Sequence, residues 1–398
     1  LTFPSRVLPL IWRGLRATAA EEVEEAEQAF RDFIPEESSA DTFDQLARIA
    51  AYALRSREYP EFREAAELAD EARPGGAEQL AACLELSPVV RRATLRIPEW
   101  LSAFDESSAA AARLAYKDAV AIADDAGPRF FEMLAAQMAH PWMVLRIISE
   151  VMDKPNERYL ADSEMAGFGE RLMDEMDESL KAIAKLDLDG GAEAARRAGK
   201  LVELITLQVT ELETYIDLSR EHGWGHRIAK QKTALAGVVE GRIREAEKYA
   251  TLALPTERAK IRRIRRPQPR LSLPPDAKHV ERAKTLLTFV QEVRSSANYG
   301  GFAHARSKML ESVGEYMDIY VEELLDLVKT GDVPDPAVAQ AFLHVAAELS
   351  LLLRGDKAAE LVRRRAATAA NPDLTQLHDE EPEAATGTWG WAPLTGAD

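Results

Sequence analysis

Ala194–Gly223 reads AARRAGKLVELITLQVTELETYIDLSREHG, and this stretch decides the fold. Ala198, Val202, Ile205, Val209, Leu212 and Ile216 recur at intervals of four and three, the spacing that puts side chains on one face of a helix. Leu201, Leu204, Tyr215 and Leu218 widen the stripe. A stripe this broad is buried on more than one side, as in a helical bundle, and is wider than the seam of a two-stranded coiled coil. Gly223 is the expected stop.

Working outward, the same period returns. In FFEMLAAQMAHPWMVLRIISEVMD, residues 130–153, Leu134, Met138, Trp142, Leu145, Ile148 and Met152 share a face, and Pro141 predicts a break near His140. Met309, Val313, Tyr316, Tyr320, Leu324 and Leu327 line up in a further helix that Gly331 closes. After VPDP, residues 333–336, Val338, Phe342, Val345, Leu349 and Leu352 repeat the pattern. So short a connection predicts an antiparallel pair. Nearer the N-terminus, Asp41 is the expected N-cap of a helix carrying Phe43, Leu46, Ile49 and Leu54. No segment alternates with period two. The predicted fold is all-α, with long antiparallel helices in a bundle-like array.

The opposite extreme of composition lies at residues 258–270, RAKIRRIRRPQPR, with seven basic residues and no acid in a chain of net charge -17. Pro255, Pro267, Pro269, Pro274 and Pro275 exclude one regular helix and favour an extended strip. The expected organisation is therefore a helical block at 1–254, a basic Pro/Arg linker at 255–275, a second helical block at 276–370 and an irregular acidic tail at 371–398. Arg262, Arg263, Arg265, Arg266 and Arg270 either lie along acidic helices of the chain itself or bind an anionic surface or partner. The strip has no aromatic residue for stacking on bases, which speaks against nucleic acid. In the tail, Trp389 and Trp391 are expected either to dock back or to anchor a partner.

Several chemistries lack their residues. With one cysteine, Cys83, the chain cannot form an internal disulfide or a cysteine-rich zinc site, and a reducing cytoplasmic setting is expected. None of the seven histidines has a glutamate three residues before it, as di-iron bundles require. Walker A, dinucleotide-binding and nucleophile-elbow motifs are missing. His222 and His226 are four apart in SREHGWGHRIAK, the spacing of a zinc pair, but Gly223 and Gly225 point instead to a turn with Trp224 packed into it. Asp174, Glu175, Asp177 and Glu178 cluster on one helix, where Lys181 follows Asp177 by four. Asp276, after two prolines, reads as a helix cap.

At the N-terminus, Val7, Ile11, Trp12 and Leu15 form an apolar side flanked by Arg6, Arg13 and Arg16, either a first bundle helix or a segment for a membrane surface or a partner's groove. No uninterrupted apolar run approaches the roughly 20 residues of a transmembrane span. The expected function is a non-enzymatic cytoplasmic scaffold, adaptor or regulator acting through protein contacts, without cofactor or metal. Two alternatives stand beside it: an anion-surface binder using the basic strip, and an all-α enzyme with an unrecognised polar or metal site. A homo-oligomer and peripheral membrane contact remain open.

Overall fold

The computed structural model describes residues 3–32, 36–102, 104–152, 156–161, 166–219, 221, 223–258 and 267–370. The protein is all-α. In chain order the helices are Val7–Thr18 (α1), Ala20–Arg31 (α2), Glu36–Ser56 (α3), Arg63–Ala72 (α4), Gly76–Thr94 (α5), Ile97–Ser102 (α6), Glu106–Val120 (α7), Ala126–Ala135 (α8) and Val144–Met152 (α9). They continue with Glu157–Ala161 (α10), Ala166–Ala184 (α11), Gly191–Tyr215 (α12), Gly223–Ala253 (α13), Ala277–Glu292 (α14), Ala303–Thr330 (α15), Pro336–Arg354 (α16) and Asp356–Ala370 (α17). A two-stranded antiparallel pair, Thr256–Arg258 (β1) and Pro267–Pro269 (β2), lies between α13 and α14.

Two compact units divide the chain, Leu1–Ser179 with Leu204–Thr233, and Leu180–Glu203 with Ala234–Asp398. The cut falls inside α11, α12 and α13. The described parts of the strip, 255–258 and 267–275, belong to the second unit.

In the first unit, α1 buries Val7, Ile11 and Leu15 against α2 to α4, where Val23, Leu46, Leu54, Ala65 and Phe62 meet them. The expected apolar side of the N-terminal helix thus faces a core, with Trp12 half-buried at its margin. α5 runs beside α3 and continues the core through Leu80, Leu86 and Val90. Helices α1, α2, α4 and α8 have only 10 to 12 residues. Prolines set some of the breaks: Pro60 and Pro141 each open a 3-10 turn, the second directly after His140. Leu134, Met138, Trp142, Leu145 and Ile148 are all buried across that break, while Met152 is half-buried.

Two local expectations need correction. α3 begins at Glu36, so Asp41 lies inside the helix and caps nothing. α12 ends at Tyr215, and Gly223 opens α13 instead of closing α12. The chain leaves the helix early because Asp217 pairs with Asn156 in a short parallel bridge.

The second unit holds α14 to α17 with parts of α11, α12 and α13. α15, of 28 residues, ends at Gly331 with φ 74°, where a side chain would be strained. After four more residues, Asp335 caps α16, its carboxylate accepting from the Ala337 N–H at 2.8 Å, and Pro336 takes the first helical position. α16 packs against α14, α15 and α17. It is the one described helix long and apolar enough to cross a bilayer, although Phe342, Ala346, Leu349 and Leu353 are buried in the fold. Asp276 caps α14 through the His279 N–H at 3.0 Å.

The β1–β2 pair is rooted in this unit. β2 touches α15, the Tyr316 hydroxyl donates to the Leu254 carbonyl, and the Arg270 N–H donates to the Pro255 carbonyl at 2.9 Å. Leu254 and Leu271 are buried at its base. Two of the three β2 residues are proline, so Gln268 supplies the strand's only N–H. Asp335→Ala is expected to lower stability by about 1 kcal/mol, the usual loss for an N-cap, seen as a lower urea midpoint at unchanged slope; Asp335→Asn is expected to keep the midpoint.

Candidate functional site

The SREHGWGH segment proves to be a helix start held by a distant carboxylate. Glu157 is buried, and its side chain accepts from the N–H groups of Ser219 at 2.9 Å, Trp224 and Gly225 at 3.1 Å. Its own N–H donates to the Asp217 carbonyl at 2.9 Å. Gly223 has φ 64°, and any side chain there would run into the Glu157 carboxylate. Trp224 is buried, with its ring against Gly169 so closely that a methyl group would collide with it. His226 is exposed on the first turn of α13; His222 lies outside the described residues.

The neighbouring acidic cluster is engaged with α13. Arg227 bonds both Asp174 and Asp177, which raises its already high pKa, and Gln231 donates to the Met173 carbonyl and to Asp177, each at 2.7 Å. A cleft of about 650 Å³ lies beside this turn, lined by Ile216, Leu218, Gly225 and Ile228, with Glu213 and Lys232 paired at 2.9 Å across it. Farther along α12, Glu211 bonds Arg146 at 3.0 Å, while both amide atoms of fully buried Gln208 lack partners among the described residues. Among the described residues no group of three or more His, Cys, Asp or Glu could hold a metal ion.

Arg270 is exposed at the end of the β1–β2 pair. Arg262, Arg263, Arg265 and Arg266 lie outside the described residues, as do Trp389 and Trp391.

One surface feature escaped the sequence reading. Between α1, α2 and α3 lies an apolar groove of about 360 Å³, with Trp12, Phe30 and Phe43 as walls, Ala26 at their foot, and Glu27 and Arg31 at the edge. Phe30 is 81% exposed, the highest value for a large apolar side chain among the described residues. Leu8, one turn before Trp12 on α1, is also exposed. The Trp12 indole N–H donates to Glu27 at 3.1 Å, and Arg16 donates to the same oxygen at 3.0 Å. Those two bonds, Arg16 foremost, hold the Glu27 carboxyl below its ordinary range. Periodicity could not reveal this groove: Phe30 sits at i+4 from buried Ala26, a core-facing position on any helical wheel.

No family model, curated protein or solved structure matches this chain. Its function must therefore be argued from its own residues. Glu157→Ala is expected to destabilise the first unit by about 2–3 kcal/mol, because it strips three N–H donors of their acceptor. Thermal denaturation checks this; a Tm equal to that of the parent would remove the assigned role.

Proposed function

We propose that this protein is a helical scaffold or adaptor that works through protein contacts, and that the α1–α3 groove is one docking point. The exposure of Phe30 beside half-buried Trp12 and Phe43 carries the reading. Burying a Phe side chain is worth roughly 1.5–3 kcal/mol, a gain that folding of the described residues leaves unused here. Aromatic side chains that end in a pocket are the usual anchors of protein interfaces. A photo-crosslinking residue at position 30 is expected to give a discrete protein adduct in cells, weakened by Trp12→Ala and Phe43→Ala. The same residue at position 114, exposed on α7, is expected to give none. Equal labelling from both positions, or no adduct at position 30, would refute the groove as a docking point.

A second reading, anion-surface binding, draws support from the rooted β1–β2 pair. Its two strands bracket Lys260, Arg262, Arg263, Arg265 and Arg266 in the sequence. Contacts of this kind weaken steeply with salt. Anionic vesicles are expected to retain the protein at low ionic strength and lose it when Arg262, Arg263, Arg265 and Arg266 are all changed to Glu. Absence of low-salt binding by the parent chain removes this reading.

A further inference from the structure

We infer that a cleft in the first unit, bounded by the α4–α5 turn, the start of α8 and the first turns of α11, binds a small phosphate-bearing anion. The inference is independent of the α1–α3 groove.

The cleft holds about 210 Å³, and Arg73, Arg129 and Arg171 all line it. They come from three separate segments: the α4–α5 turn, α8 and α11. Gln79 of α5 adds an amide to the lining. Asp125 and Glu132 are its two carboxylates. Arginines thus outnumber acids three to two here, in a chain of net charge -17.

Both carboxylates are already engaged. Asp125 accepts from Arg129 at 2.6 Å, and Glu132 accepts from Arg171 at 2.8 Å. The bond to Arg129 holds the Asp125 carboxyl below its ordinary range, so it stays ionised beside that guanidinium. Arg73 has no ion-pair partner among the described residues. One positive charge is therefore left over, in a concave setting that concentrates its field.

The surroundings hold these groups in place. Arg73 leaves α4 in extended backbone, and its carbonyl accepts from the Gly76 N–H at 2.9 Å. Asp70, one turn earlier on α4, accepts from the Ala77 N–H at 2.9 Å and ties α4 to the start of α5. The Arg129 side chain is only 14% exposed and is pinned by Asp125. A guanidinium carries five N–H donors, so Arg171 keeps donors beyond the one it gives to Glu132. Groups positioned beforehand spare a ligand the entropy of ordering them.

The arrangement favours phosphate over carboxylate. A carboxylate presents two oxygens in one plane, which a single guanidinium fork satisfies. A phosphate presents a tetrahedron of oxygens that can be met from several sides, as arginines from three segments would meet it. Its second negative charge also competes better with Asp125 and Glu132 for the same donors. The volume is below the roughly 300–1,000 Å³ of pockets for drug-sized ligands, which suits a small anion.

The test is isothermal titration calorimetry of the full chain with inorganic phosphate, glycerol 3-phosphate and succinate. The two phosphates are expected to bind saturably, and succinate at least roughly 10-fold more weakly. Arg73→Gln and Arg171→Gln are each expected to weaken phosphate binding about 10-fold. Arg63→Gln, on α4 and outside the cleft, removes the same charge and is expected to leave binding unchanged. All three side chains are exposed, so the fold is expected to survive, and circular dichroism verifies it. The tighter-binding phosphate shows whether the natural ligand is the free ion or an ester, and either result supports the inference. No saturable phosphate binding up to about 10 mM overturns it. So does succinate binding as tightly as phosphate, or phosphate binding that ignores both cleft variants. Equal losses in all three variants would reduce the effect to general charge and likewise overturn it.

Discussion

A buried helix start needs an acceptor, and in the first unit Glu157 provides it. The opening N–H groups of a helix have no partner in the helix itself, and burying them unpaired costs free energy. α13 is the longest helix, at 31 residues, and both Trp224 and Gly225 at its start are buried. One carboxylate serves both N–H groups and a third, from Ser219. Negative charge at that end also suits the helix dipole. Once α13 is fixed there, the rest of its first turns acquires partners: Trp224 seats on Gly169, Arg227 reaches Asp174 and Asp177, and Gln231 reaches Met173.

Small side chains set the other constraint. Ala50, Ala53, Ala65, Ala66, Ala69 and Ala81 are buried among the first helices and let them approach closely. Alanine fills little space, so wherever a larger neighbour does not lean over it, a hollow remains. At Ala26 the neighbours are Trp12, Phe30 and Phe43, and they stand around the hollow without closing it. The same economy of volume that lets short helices pack thus leaves an aromatic groove on their outer side.

Local signals carried much of the fold, and their failures share a cause. The seam Val202, Ile205, Val209, Leu212 and Ile216 is buried as its spacing required. Gly331, Asp276 and Pro141 act within a few residues of themselves, so their effects could be read directly. Gly223 misled because its role depends on Glu157, 66 positions away. Asp41 misled because the helix begins five residues before it, so a residue suited to a cap lies inside the helix. The groove was illegible for a different reason. A phenylalanine on the inner face of α2 implies burial by period alone, and only the third dimension decides whether anything covers it. Of the histidine pair, His226 is exposed at α13's start, and His222 lies outside the described residues.

The groove's tryptophan wall is held in place by the fold itself. Trp12 is not free to swing, since its indole N–H is bonded to Glu27 and Arg16 braces the same carboxylate. The low pKa of Glu27 fixes the pH range of this brace. A carboxyl whose folded pKa lies below its unfolded value adds stability above the unfolded pKa and loses it as pH falls through the folded value. The brace is therefore fully in place at neutral pH and is lost as pH falls past the ordinary carboxylate pKa toward the lower folded one. Below Trp12, Val7, Ile11 and Leu15 hold α1 to the core, so the backbone that carries the indole is anchored as well. A preformed wall spares a partner the entropy of ordering it, and that saving goes directly into affinity. Phe30 alone would be an exposed apolar side chain of no special meaning. Beside a fixed Trp12 and a half-buried Phe43 it becomes one side of a preformed groove.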